Sequence, residues 1–322
     1  MSCVTQTNTV GRAAEDLDVR IRPSLDPTVG WMVRAELLVP AGGAATVQAL
    51  LPGLTYDRRY WQVPGEYDYV EFMLRAGYAV LALDRLGTGQ SSRPPAHQVT
   101  VDSNVEVIHR VIQKLRHGTP SGHSFDQVVT VGHAFGSGLA IVEASRHTDV
   151  DAVVLTGMLH TTVPTYEEMT DPFHAAAEDP ILGDPDMPER YMTQKPGLRA
   201  RMFEHAAGID RQLSAYHELI KSTATIGEGE TLPQTYLREH SVGVQCAVLL
   251  VVGEHDALLR GKDVEYPADS RSVQRFEQDF YAPEAELETH VIADTGHSLN
   301  LHRNARAGYQ LTREWLDRRL GG

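Results

Sequence analysis

An acid, Asp256, a histidine, His297, and the turn Gly132-His133-Ala134-Phe135-Gly136 are the parts of this sequence that could carry chemistry. Each follows an apolar, β-branched run, at 247–252, 287–292 and 128–131. Such runs read as buried parallel strands. A strand that turns at once into a small-residue helix crowds its own backbone, and Gly132 and Gly136 remove the Cβ atoms that would collide. The middle residue is then pushed out at the end of the sheet. The amide of the next residue, Phe135, opens the helix and points at whatever the middle residue has attacked. With serine in the middle, the turn would present a nucleophile. An imidazole would accept its proton, and a buried carboxylate would fix the tautomer and stabilise the imidazolium. The order this requires, nucleophile then acid then histidine, is the order found. The middle residue, however, is Ala134, which has no atom able to attack.

Taken singly, these residues say little. His297 is one of 15 histidines, Asp256 could cap the turn that follows it, and a Gly-rich turn can be only a turn. Glu254, His255 and Asp256 suggest metal ligands at first, but neighbours on an extended strand point to opposite faces, so no metal is expected. Ser137 lies about one helical turn past Ala134, where it faces the helix surroundings and not the histidine. What carries weight is three signals in the right order, each just past a predicted strand.

The same residues resemble the serine esterases, lipases and epoxide hydrolases of the α/β-hydrolase fold, from about residue 18 to the C-terminal helix. The segment 50–55, Leu-Leu-Pro-Gly-Leu-Thr, resembles the loop after the third strand that supplies a second oxyanion amide. By that match the donor is Leu54, with Thr55 next in line, and Pro52 stands where the family has histidine. Asp84-Arg85-Leu86-Gly87-Thr88-Gly89-Gln90-Ser91 resembles the family's scaffold turn D-x-x-G-x-G-x-S. It is not a dinucleotide loop, whose third glycine would fall on Ser92. The resemblance implies catalytic positions Ala134, Asp256 and His297 and an oxyanion hole from the amides of Leu54 and Phe135. It also implies an α/β fold with a mostly parallel eight-stranded sheet, flanking helices and an inserted helical cap. Ala134 is the departure from the family pattern.

Strands that could place these residues read at 17–22, 32–39, 47–51, 79–83, 128–131, 152–156, 247–252 and 287–292. Helices are predicted around 67–76 and over 101–115, the latter from apolar residues at helical spacing. Between about 160 and 232 this rhythm stops. Pro164, Pro172, Pro180, Pro185, Pro188 and Pro196 interrupt the stretch, with amphipathic pieces at 198–205 and 212–220. The expected organisation is therefore a hydrolase core over 1–159 and 233–322 with a helical cap over 160–232. Caps shape pockets and exclude water. Thr55, Tyr56, His133, Tyr191 and Tyr216 are the residues expected to line the pocket, with Met192, Phe203, His217, Tyr60 and Trp61 as further candidates.

Lys and Arg number 29 against 43 Asp and Glu, a net charge of −14. That opposes binding to nucleic acid or anionic membrane, both of which reward positive charge. A small-molecule substrate is expected, with no cofactor. The first sixteen residues are polar and resemble neither a signal peptide nor an anchor, so a cytoplasmic protein is expected. Cys3 and Cys246 are the two cysteines, and no disulfide is expected between them. The expected function is serine-type hydrolysis of an ester, lactone or thioester bond in a small to medium, mostly apolar molecule, inactivated by serine-to-alanine exchange at position 134. Two alternatives stay open: a lyase or eliminase that uses His297 as a base without a covalent step, and a catalytically dead ligand-binding protein.

Overall fold

The computed structural model of the protein describes residues 12–21, 30–160, 171–259 and 269–321. Cys3 and Pro164 fall outside them. A hairpin of β1 (Arg12–Ile21) and β2 (Trp31–Pro40) opens the chain. Then come β3 (Thr46–Leu51), α1 (Tyr69–Arg75), β4 (Ala79–Leu83), α2 (Val101–His117), β5 (Gln127–His133), α3 (Phe135–His147) and β6 (Ala152–Thr156). An insertion follows, with β7 (Phe173–Ala175), β8 (Tyr191–Gln194), α4 (Leu198–Phe203), α5 (Arg211–Leu219), β9 (Ala224–Thr225) and α6 (Ile226–Thr231). The chain closes with α7 (Arg238–Val242), β10 (Ala247–Gly253), α8 (Ser270–Glu277), β11 (Glu288–Ile292) and α9 (Ala305–Leu320).

Eight strands form one sheet in the order β1-β2-β4-β3-β5-β6-β10-β11. Pairing is antiparallel from β1 through β2 to β4 and parallel from β4 onward. The expected α/β architecture is therefore present. Successive side chains of a strand face opposite sides of the sheet. In β5, Val128 joins the layer packed by Ile108 of α2 and Leu139 of α3. Val129 and Val131 join the opposite layer with Tyr69 of α1 and Trp315 of α9. Both faces are covered, which is why the parallel strands read as unbroken apolar runs.

Two features differ from the sequence expectations. β1 begins at Arg12 and not at 17, and its whole length pairs with β2. Its polar start is held by tertiary partners: buried Glu15 accepts from Thr119 Oγ1 at 3.0 Å and from the Ser121 amide at 3.0 Å. The insertion is also not purely helical. β7, β8 and β9 form a small antiparallel sheet beside the two expected helices. Among the described residues no helix is long and apolar enough to cross a membrane.

The contact that fixes the site lies where β5 meets α3. A Cβ on Gly132 would stand 2.5 Å from the backbone of Gly136, and one on Gly136 would stand 2.1 Å from the Leu51 carbonyl oxygen of β3. Neither obstacle is a flexible side-chain end. Gly136→Ala should therefore destabilise the fold by about 3 kcal/mol or more through overpacking. Urea unfolding measures this directly, and a loss below about 0.5 kcal/mol would contradict the close approach.

Candidate active site

Between Gly132 and Gly136 the chain must reverse within a few residues, and it does so at Ala134. That residue has φ 49° and ψ −115°, a conformation that L-residues avoid. It stands at the N-terminus of α3, so the Phe135 amide belongs to the first turn of the helix. A Cβ placed on Gly53 would lie 3.2 Å from Ala134 Cβ, so the loop after β3 runs against the turn. That loop is a tight one: the Tyr56 amide donates to Gly53 O at 3.2 Å, and Thr55 takes φ 60°. Leu54 and Phe135, the two expected oxyanion donors, thus flank Ala134 in adjoining segments.

His297 and Asp256 come from the far side. His297 Nδ1 lies 2.8 Å from Asp256 Oδ2, with Asp256 fully buried and His297 only 4 % exposed. The other carboxylate oxygen accepts from the Leu258 amide at 3.0 Å, so Asp256 caps the turn after it and also holds the histidine. The bond at Nδ1 orients the ring as a base requires. Gly157, at the end of β6, opens the way. It has φ 62°, and a Cβ there would meet the Cε1 atoms of His133 and His297 at 3.0 and 3.2 Å.

His133, the last residue of β5, packs among aromatic rings. It is fully buried, stacks on Tyr60 at 4.3 Å and lies 4.9 Å from the His297 ring. Thr156 Oγ1 gives its proton to Gly132 O, so His133 Nδ1 is the donor to Thr156 Oγ1 at 3.1 Å. Burial, reinforced by the nearby His297 and His217, holds the His133 imidazolium well below the usual histidine range.

Tyr56 is buried and braces the loop after β3 against the insertion. Its ring stacks on His217 at 5.7 Å, and its hydroxyl lies 2.7 Å from His217 Nε2 and 2.5 Å from Ser298 Oγ. His217 Nδ1 lies 2.7 Å from Glu204 Oε1. A carboxylate only accepts, which fixes every proton in this chain. Ser298 donates to Tyr56, Tyr56 donates to His217, and His217 donates to Glu204. The insertion is thereby tied to the residue after His297. A backbone bond from the Ser298 amide to Phe203 O, at 3.0 Å, adds a second tie.

Two more of the residues expected at the pocket, Tyr191 and Tyr216, have packing partners of their own. Tyr191 closes a small separate core with Ala96, Ala176 and Met187, because its buried hydroxyl finds its acceptor at Pro94 O, 2.7 Å away. Tyr216 packs against the cluster of Val63, Ile209 and Leu301. The D-x-x-G-x-G-x-S turn folds as scaffold. Asp84 accepts from the amides of Arg58 and Gln90, both at 3.0 Å, and a Cβ on Gly89 would strike its carboxylate.

Sequence reasoning passed over two arginines. Arg85 donates to the carbonyls of Pro52 and Gly53 at 3.0 and 2.9 Å and meets the Glu228 carboxylate. Arg199 donates from Nη1 to Thr55 Oγ1 at 2.8 Å and Gln194 Oε1 at 2.7 Å. A signal for Arg199 exists, since it precedes Phe203 by four residues and so shares its apolar helix face. Among the described residues, two groups of side chains could each offer three ligand atoms to one ion: His205 with His255 and Asp294, and His109 with Glu143 and Asp149.

The model of the alpha/beta hydrolase family matches residues 49–307, most of the chain. The protein belongs to the alpha/beta hydrolase family. This hydrolase resembles several solved structures at low identity. A malate-bound thermophilic esterase from Thermogutta terrifontis is 18% identical, with a TM-score of 0.62 over 94% of this chain and 98% of that one. The alpha/beta hydrolase GrgF from Penicillium sp. sh18 is 14% identical, with a TM-score of 0.64 over 95% and 99%. An esterase from Exiguobacterium antarcticum is 16% identical, with a TM-score of 0.61 over 93% and 99%. No curated protein matches the hydrolase by sequence.

Holding His133 neutral has a measurable consequence. Unfolding frees it to take up a proton below its reference pKa of about 6.5, so this residue's share of the stability is lost as pH falls through that value. His133→Phe should remove that share. The drop in unfolding free energy between about pH 7 and 5.5 should then be smaller by about 1 kcal/mol than in the parent chain. Urea titrations of both proteins at the two pH values test this, and equal drops would refute it.

Proposed function

We propose that this protein is a serine-type hydrolase of ester, lactone or thioester bonds whose nucleophile position holds alanine. The observation that carries the reading is the backbone of Ala134. It keeps φ 49° and ψ −115° beside a bonded His297–Asp256 pair, although an alanine gains nothing from that strain. The esterase names of the structural neighbours point the same way. With Ala134→Ser, the serine Oγ attacks the acyl carbon while His297 takes its proton. Asp256 keeps the ring oriented and stabilises the imidazolium. The amides of Leu54 and Phe135 hold the oxyanion. His297 returns the proton to the leaving group, then activates the water that releases the acid. The insertion acts as the cap, and a small to medium, mostly apolar substrate is bound beneath it.

A second reading rests on the same pair. His297 and Asp256 need no nucleophile to abstract a proton, so the chain with Ala134 could run an elimination on an acidic C–H substrate.

Fluorophosphonate labelling, intact mass and aryl-ester turnover of the chain and of Ala134→Ser separate the two. Ala134→Ser is expected to gain an adduct at position 134 and on the order of 10⁴- to 10⁶-fold in kcat. Adding Asp256→Asn should take back about 10⁴-fold. Absence of any adduct, with product formed by the alanine chain, would replace the covalent mechanism by the base mechanism.

A further inference from the structure

Three lysine or arginine side chains are fully buried among the described residues: Arg85, Arg199 and Lys221. Two are neutralised on the spot. Arg85 meets Glu228, and Lys221 Nζ lies 2.6 Å from Asp179 and 2.9 Å from Glu218. Arg199 is different. Its Nη1 is spent on neutral oxygens of Thr55 and Gln194, and neither its Nε nor its Nη2 meets a protein acceptor. The carboxylates of Glu218, Asp57 and Glu204 act on it only from a distance, and no ion pair at contact distance forms among the described residues. A guanidinium stays charged, and a buried one with open donors is unfavourable.

Geometry specifies what would satisfy it. Nε–H and the outer Nη2–H of a guanidinium lie in one plane along one edge, the fork that accepts both oxygens of a carboxylate. The Arg199 guanidinium lies over the Tyr56 ring, 4.3 Å from its centroid, and 5.4 Å from that of Phe203. Stacking uses the face of the group and leaves its in-plane donors available. The surroundings are those of the candidate site. Arg199 holds Thr55, the residue after Leu54, while Phe203 packs 5.3 Å from the His297 ring and Tyr56 packs 5.7 Å from His133.

We propose that the Nε–Nη2 edge of Arg199 receives a carboxylate of the substrate, so the molecule acted on carries an acid group besides its scissile acyl bond. The bond broken rests on the hydrolase reading; the anion bound does not. Arg85 and Arg199 both hold the loop 52–55, and of the two only Arg85 has a carboxylate in contact. The substrate supplies the other.

The test compares matched substrates of Ala134→Ser. p-Nitrophenyl hemiesters of adipate, pimelate and suberate are set against p-nitrophenyl hexanoate, heptanoate and octanoate, after subtraction of spontaneous hydrolysis. For at least one chain length the ratio of kcat/KM, acid over neutral, should exceed about 10, carried mostly by KM. Arg199→Met should lower that ratio by about 10²-fold, and Arg199→Lys, which keeps the charge but not the fork, by less. A purely structural role would depress both series together and leave the ratio unmoved, which overturns the proposal, as does a ratio at or below one at every length. Calorimetry on the alanine chain with adipic acid monoanilide and hexananilide keeps the two readings apart. Preferential, Arg199-dependent binding of the acid without any ester turnover would retain the anion site and defeat the hydrolase. Turnover of both ester series alike, with both anilides bound equally, would do the reverse.

Discussion

β5 and α3 meet with no side chain between them, and the rest of the candidate site is laid out around that contact. Because Gly132 and Gly136 let the first turn of α3 settle on the Leu51 carbonyl, residue 134 must swing clear of the sheet in a strained conformation. β3 is the hydrogen-bonded neighbour of β5, so the loop leaving β3 arrives beside that residue without further instruction. On the other side, β6 and β10 bring the ends of their loops to the same edge. In a parallel sheet the carboxyl ends of the strands share one edge, which is where segments distant in sequence converge. The site is therefore a property of strand order before it is a property of any side chain.

Around that edge the protein buries several polar side chains, among them Asp256, His297, Ser298 and His217. It does so by giving almost every group a partner whose type is forced. Asp256 divides its two oxygens between His297 and the Leu258 amide. Ser298, Tyr56, His217 and Glu204 form a one-way chain of donors that ends on a carboxylate. Such a chain rigidifies when complete and is costly when broken. It joins the insertion, the loop after β3 and the segment bearing His297 into a single unit. The residue after His297 is thereby linked by hydrogen bonds to the insertion through both its side chain and its backbone. Arg85 and Arg199 extend the same logic to charge, each donating to residues of the loop 52–55.

Much of this arrangement was legible beforehand. The β-branched runs at 128–131 and 247–252 marked central strands because burial on both faces leaves no place for polar residues. Asp256 and His297 could be singled out because each lies just past the carboxyl end of such a run. Gly132 and Gly136 marked the tight turn because only a missing Cβ permits it. These are local signals, set by the covalent chain and its immediate sterics.

What the sequence could not reveal depends on contacts between distant segments. A polar stretch from Arg12 became strand because Glu15 found Thr119 and Ser121. Tyr56, Tyr191 and Tyr216 looked alike as pocket candidates. Their hydroxyls and rings went to three different partners, chosen by which elements the fold placed beside them. The spacing of Arg199 to Phe203 put it on the apolar face of its helix, but only packing against Tyr56 and Thr55 decided that it is buried with no carboxylate in contact. The sequence by itself determined the elements, the order of the chemical groups and the alanine at the turn from β5 into α3, because backbone sterics and burial patterns act over a few residues. The tertiary structure decided which groups touch, which protons they share and which charge has no ion pair at contact distance, because desolvation and pairing are set by neighbours far away along the chain.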